Sequence, residues 1–172
     1  GSLNSNQSSA ISYTIEFYPE EGKYHYTGHR NCKVVYSANE TRKLGTVCPV
    51  CGRPLTVGVM SRVEYLASVD IETESEIDRF GVRWIKDKEG KHPPYIMLVP
   101  LLEILSEALN SGVGSQTVMS VYDQLVSSLG SEFKVLLESS LVDIEKVGGQ
   151  RVSQAIAQVR SGDIVIEPGY DG

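Results

Sequence analysis

The chain has 172 residues, 41% of them hydrophobic, and a net charge of −6, a size that fits two small folded units better than one medium domain. It contains no apolar run long enough to span a bilayer, and no charged segment leading into an apolar core and cleavage site, so it reads as neither membrane-spanning nor secreted. Charge is unevenly placed: Lys23, Arg30, Lys33, Arg42, Lys43, Arg53 and Arg62 face the single acid Glu40, a net +6 over that window that leaves −12 for the rest.

In chain order, residues 1–10 are a polar lead-in or linker. Ile11–Phe17 alternates as a strand, with Ile11, Tyr13, Ile15 and Phe17 on one side. Pro19-Glu20-Glu21-Gly22 turns the chain. Val34–Tyr36 and Leu55–Val59 are expected as strands, with a turn at Ala38–Arg42 between them. Ser61, with Glu64 three residues on, is expected to cap a helix through Ala67. The acidic stretch Asp70–Asp78, including Glu72 and Glu74, reads as a solvated linker, and Phe80–Pro94 as a mixed segment whose Trp84 and Ile85 cover a domain junction.

Beyond Pro100 the pattern is helical. Pro100 can open a helix whose apolar face is Leu101, Leu102, Ile104, Leu105 and Leu109. Ser115 caps Gln116–Leu129, which Gly130 ends. Residues 141–157 read as a short helix, a glycine turn at Gly148-Gly149 and a second helix containing Arg151, the order of a helix-hairpin-helix, with Gly112–Ser115 as a weaker copy. The glycine turn can present backbone N–H groups to one phosphate without reading a base, but helical proteins also use such turns for packing alone, and Lys146, Arg151 and Arg160 are few charges for a DNA clamp. The resulting fold class is α+β: a zinc ribbon over residues 11–69, a connecting segment over 70–99, and an all-helical domain with a C-terminal strand over 100–172.

The chemistry concentrates in His29-x2-Cys32 and Cys48-x2-Cys51, fifteen residues apart, which use all three cysteines. Two residues between ligands form a tight turn, and Gly52 can take the positive φ that brings backbone amides towards the thiolates. Two such knuckles complete a tetrahedron with no open position, the pattern of structural zinc. His25 competes in sequence for the fourth place, but only His29 makes the two-residue spacing with Cys32. Thiols committed to metal suit a reducing, cytoplasmic setting. No nucleophile–base–acid triad and no phosphate-loop motif is legible. The basic island can touch phosphates locally, and a solvated face is the plainer alternative.

Glu16–Tyr26, Gly28–Cys32, Cys48–Gly52 and the ending from Val159 through Pro168-Gly169-Tyr170-Asp171-Gly172 together resemble the carboxy-terminal half of endonuclease Q-type proteins, a group that also carries the names PHP-domain phosphoesterase and UvrD-like helicase. The resemblance runs from about Ile11 to Gly172. It implies an amino-terminal PHP metal-dependent nuclease domain, a zinc module and a helical module, acting 5′ of deaminated bases or abasic sites in DNA. The histidine- and aspartate-rich PHP region is absent from this sequence, so no catalytic residue carries over. What carries over is a supporting role: a zinc-stabilised DNA grip, weak by itself, partnered by the PHP domain of the same parent. A zinc-stabilised protein-interaction or homo-oligomerisation module is the alternative.

Overall fold

The computed structural model describes residues 11–67, 71–166 and 168–171. The linker expected over residues 1–10, and Asp70 of the acidic stretch, lie outside the described residues. The elements in chain order are β1 (Thr14–Phe17), β2 (Thr27–His29), β3 (Val34–Tyr36), α1 (Ala38–Leu44), α2 (Val59–Leu66), β4 (Thr73–Ile77), β5 (Arg83–Asp87), β6 (Tyr95–Leu98), α3 (Leu101–Ala108), α4 (Gln116–Leu129), α5 (Glu132–Leu137), α6 (Leu141–Gly148) and α7 (Gln150–Ser161). The architecture is mixed α+β, with short strands in the first part and helices alone from α3 onward. The chain divides into two compact units, and both are discontinuous in sequence.

The larger unit joins the residues up to Phe17 to Glu72–Asp163. Its sheet has the order β1-β6-β5-β4. β1 pairs in parallel with β6, Thr14 opposite Tyr95 and Phe17 opposite Leu98, whereas β6 with β5 and β5 with β4 are antiparallel. Along β6, Ile96 and Leu98 alternate into the core. That core continues through Leu101 and Leu105 of α3, Leu125 of α4, Ile144 of α6 and Ile156 of α7, all fully buried.

This sheet corrects the expectation of a connecting segment at 70–99 and of a separate all-helical domain. β4 escaped notice because every residue in it is exposed, so it lacks the apolar alternation that marks a half-buried strand. It is held instead by its ladder and by cross-strand ion pairs, Glu76 with Lys86 and Glu72 with Lys88. β1 is an edge strand, and Ile11, Tyr13 and Phe17, expected on its apolar side, are exposed. Tyr13 nevertheless meets Trp84 edge to face, with ring centroids 5.2 Å apart.

The turn from β4 to β5 is organised by Asp78. Its carboxylate accepts from the backbone N–H groups of Phe80 and Val82 and from Trp84 Nε1, at 2.8, 3.0 and 3.0 Å. Gly81 supplies a φ of +81° within the loop. The α4 boundaries match the expected ones: the Ser115 side chain accepts from Val118 N–H, and Gly130 closes the helix at φ 113°. α6 and α7 form the expected helix, glycine turn and helix, and α5 is an additional short helix.

The smaller unit is Tyr18–Ile71 with the chain from Ile164 onward. β2 and β3 make an antiparallel hairpin, and its core is small: Val34, Cys48 and Leu55, flanked by Cys32 and Tyr36. Ala38–Arg42, expected as a turn, lies in α1, which opens on a full capping box between Ser37 and Glu40. Ser61, expected as a cap, instead sits inside α2, whose N-cap is Gly58, and its hydroxyl pairs with that of buried Thr27 at 3.1 Å. Leu55–Val59 forms no ladder, only single bridges of Pro54 to Val47 and Thr56 to Gly28. The C-terminal strand expected to follow the helices is likewise absent from the pairing at Ile164-Val165-Ile166, with Val165 97% exposed. The pairing in this tail comes later, where Tyr170 bridges Tyr26 in parallel.

Candidate metal centre

The β2–β3 hairpin carries the first ligand turn, a 3-10 turn at Arg30–Cys32 closed by Lys33 in the left-handed region at φ 53°. The second turn is closed by Gly52 at φ 72°, with Gly52 N–H donating to Cys48 carbonyl at 2.9 Å. Both turns therefore place the residue after the last ligand in the left-handed region, which the sequence indicates only at Gly52. These turns bring His29, Cys32, Cys48 and Cys51 together with one donor atom from each within 4.8 Å of the others.

The geometry fits an ion. Tetrahedral zinc with bonds of about 2.3 Å to sulfur and about 2.0–2.1 Å to nitrogen requires S···N edges of about 3.6 Å and S···S edges of about 3.8 Å. The observed separation of Cys51 Sγ from His29 Nδ1 is 3.3 Å. Three thiols and one imidazole are a soft, closed donor set with no place for substrate or water. This is a structural zinc-binding site. His25 is not part of it: the ring is buried at 6% exposure and packs against Tyr26 with centroids 4.5 Å apart.

The thiols are electrostatically unequal. Burial pushes Cys32 up to about 11, helped by hydrogen bonding to Cys51 and Cys48. Burial also acts upward on Cys48, but the His29 ring and the backbone N–H groups of Cys51 and Val50 outweigh it and bring that thiol down to about 6. Of these two thiols Cys48 is the readier thiolate, and loading of an ion releases the remaining protons.

Sequence reasoning did not foresee the tail that closes over these turns. Arg30 N–H donates to Asp171 Oδ2 at 2.6 Å, Thr56 Oγ1 donates to Asp171 Oδ1, and Arg30 Nη2 donates to the Tyr170 carbonyl at 3.2 Å. These donors hold the Asp171 carboxyl below the usual carboxylate range, Thr56 first and Arg30 second. A Cβ on Gly28 would stand 2.6 Å from Tyr170 Cδ2, so glycine is required where the aromatic ring crosses β2.

All seven residues of the basic island are exposed. Three of them have partners: Arg30 with Tyr170, Arg42 with Glu64 at 3.2 Å, and Arg62 over the Tyr65 ring at 5.2 Å. Lys43 stands near Glu40. Among the described residues, Lys23, Lys33 and Arg53 carry no ion pair. In the larger unit Gly149 has φ 86° and serves both α6 and α7 as a cap. A Cβ on Gly148 would stand 3.0 Å from Val152 Cγ1 and 3.3 Å from Leu125 Cδ2, so close packing accounts for that glycine. Arg151 is exposed, Lys146 pairs with Asp143 at 2.9 Å, and Arg160 is buried.

Residues 100–163 match the family described as MJ0043 C-terminal domain. An uncharacterized protein of Methanocaldococcus jannaschii, MJ0043, is 30% identical over 154 residues, covering 90% of this chain and 18% of that protein. Among solved structures, the lesion-specific endonuclease PfuEndoQ from Pyrococcus furiosus superposes with a TM-score of 0.73 at 29% identity, over 92% of this chain and 36% of that one. Endonuclease Q in complex with a 27-mer duplex bearing an abasic lesion gives 0.70 at 28% identity, with the same coverage. This chain resembles one part of an endonuclease Q-type lesion-specific endonuclease. It spans about a third of the solved relatives and under a fifth of the M. jannaschii protein. Among the described residues no helix is long and apolar enough to cross a membrane.

Proposed function

We propose that this chain is the non-catalytic, zinc-stabilised DNA-binding part of a lesion-directed endonuclease that cleaves 5′ of deaminated bases or abasic sites. The observation that carries this reading is the fold likeness to two lesion endonuclease structures, joined to a cluster whose four protein ligands leave no open metal position. Zinc would offset two of the three thiolate charges and fix the two turns. The zinc-ribbon surface then presents Lys23, Lys33, Arg53, Arg42, Lys43 and Arg62 to phosphates. Arg30 is partly occupied by its contact with Tyr170. The helix-hairpin-helix turn at Gly148-Gly149, with exposed Arg151, is a second phosphate contact: α7 opens with no side-chain cap, leaving N–H groups for an anion. Strand cleavage belongs to the PHP domain of the same cytoplasmic parent, and this part helps to enclose an everted base.

The test is a titration of zinc-loaded chain onto fluorescent duplexes that are intact or carry one uracil, hypoxanthine or abasic site, at several salt concentrations. The expected result is weak, salt-dependent binding without nicking, with the Lys33→Ala/Arg53→Ala double variant flattening the salt slope by about two. No binding at low salt, or a variant slope equal to wild type, would refute the assignment. A second reading has its own support: Val59, Val63 and Leu66 lie exposed along one side of α2, as a protein-docking or dimer face would require. A stable homodimer by sedimentation, with no DNA affinity, would establish that reading in place of the first.

A further inference from the structure

The 3-10 turn that carries Cys32 begins at Arg30, and its preceding residue, the ligand His29, offers no side-chain cap. The orphan N–H at Arg30 is satisfied from 141 positions away by Asp171 Oδ2. The other oxygen of the same carboxylate accepts from Thr56 Oγ1. Thr56 follows the second ligand turn by a few residues and exchanges two backbone hydrogen bonds with Gly28, each 2.9 Å. One carboxylate thus ties the backbone of the first ligand turn to the segment leaving the second. It is itself held in place: Asp171 has φ 50°, Tyr26 N–H donates to the Gly169 carbonyl at 3.0 Å, and Gly169 N–H donates to that of Glu20 at 2.9 Å.

Asp171 contributes no donor atom to the His/Cys cluster. We propose that it is a positioning residue of the metal centre, fixing the separation and orientation of the two ligand turns in the folded unit so that the four donors converge on one ion. Outer groups that orient ligands typically change metal affinity by about 10–100-fold when removed. The carboxylate suits this place because it is acceptor-only and has two oxygens for two donors at once. An amide in its place can accept with only one.

The experiment uses the full chain, loaded with Zn²⁺ in competition with a chromophoric chelator, and separately with Co²⁺, whose ligand-field bands report the geometry of the donors. Asp171→Ala is expected to weaken zinc binding by about 10–100-fold and to shift the cobalt bands. Asp171→Asn and Thr56→Val should show smaller changes in the same direction. Val165→Ala, on the same tail and almost wholly exposed, should be unchanged. If Asp171→Ala fails to fold, Asp171→Asn and Thr56→Val carry the test. Wild-type affinity and spectrum in both of these would overturn the assignment. So would a loss in Val165→Ala equal to that in Asp171→Asn, because the tail would then act without a specific carboxylate contact.

Discussion

Arg160 shows how a charge acquires a purely structural use. At 2% exposure, its guanidinium donates to the carbonyls of Leu136, Phe80, Val135 and Ser139, each at 2.8 Å. Burial lowers its pKa while the nearby Asp78 charge opposes that shift. Its fork geometry serves several acceptors at once, and the compact ammonium of lysine has only three donors. Arg160→Lys is therefore expected to leave at least one buried carbonyl unsatisfied and to lower stability by about 1–3 kcal/mol in urea unfolding, without altering the DNA affinity of folded protein. Asp78 makes a pH-dependent contribution beside it. Burial alone would raise its pKa, but Trp84 Nε1, the N–H groups of Val82 and Phe80 and the Arg160 charge together hold it below the ordinary carboxylate value. A depressed folded pKa means that the stabilisation is fully present above the unfolded value, about 3.9, and is lost as pH falls through the folded one. Asp78→Asn should accordingly flatten the decline in stability on the acid side of about pH 4, with the single tryptophan, Trp84, as an adjacent fluorescence reporter.

Helix ends show which local signals survive packing. Ser115 and Gly130 bound α4 as their residue types suggest, because the side-chain cap and the positive-φ glycine stop are satisfied within the segment. Ser61 and Glu64 have the same box spacing yet lie inside α2. The start of that helix is set from outside, where Gly58 N–H donates to Thr27 Oγ1 at 3.0 Å and a Cβ on Gly58 would collide with the Tyr26–Thr27 backbone. No periodicity rule contains that contact. The knuckle ligands were legible because tetrahedral coordination restricts spacing so tightly, whereas Asp171 was not, since its partners Arg30 and Thr56 are distant in sequence. The α6–α7 turn was legible as a shape, while the reason for its glycines needed the packing. At φ 86° and ψ 166° Gly149 occupies a region open almost only to glycine. Gly149→Ala should cost about 1–3 kcal/mol by thermal or urea unfolding, whether or not the turn ever meets a phosphate.

At the scale of the whole molecule, a reading in contiguous blocks could not find two units that each borrow a distant piece of chain. The parallel pairing of Thr14–Phe17 with Tyr95–Leu98 gives the first strand to the larger unit, and the Pro168–Asp171 segment belongs with the metal turns. The two units also differ in what holds them. The larger has a core running from Ile96 and Leu98 through five helices, but among the described residues the smaller fully buries no apolar side chains beyond Val34, Cys48 and Leu55. So small a core needs the ion, because metal-binding energy is then the folding energy of that unit. Removing zinc with a chelator, or substituting Cys48→Ala, is expected to unfold the smaller unit while leaving the larger one standing. Circular dichroism should retain the signal of α3–α7, and the emission of Trp84, which lies in the larger unit, should stay native-like. Hydrogen exchange should lose protection at β2, β3 and α1 and keep it at β6 and α7. Collapse of both regions in one transition would show instead that the ion supports the whole chain, and an unchanged exchange pattern would show that the four ligands are not needed to fold either unit.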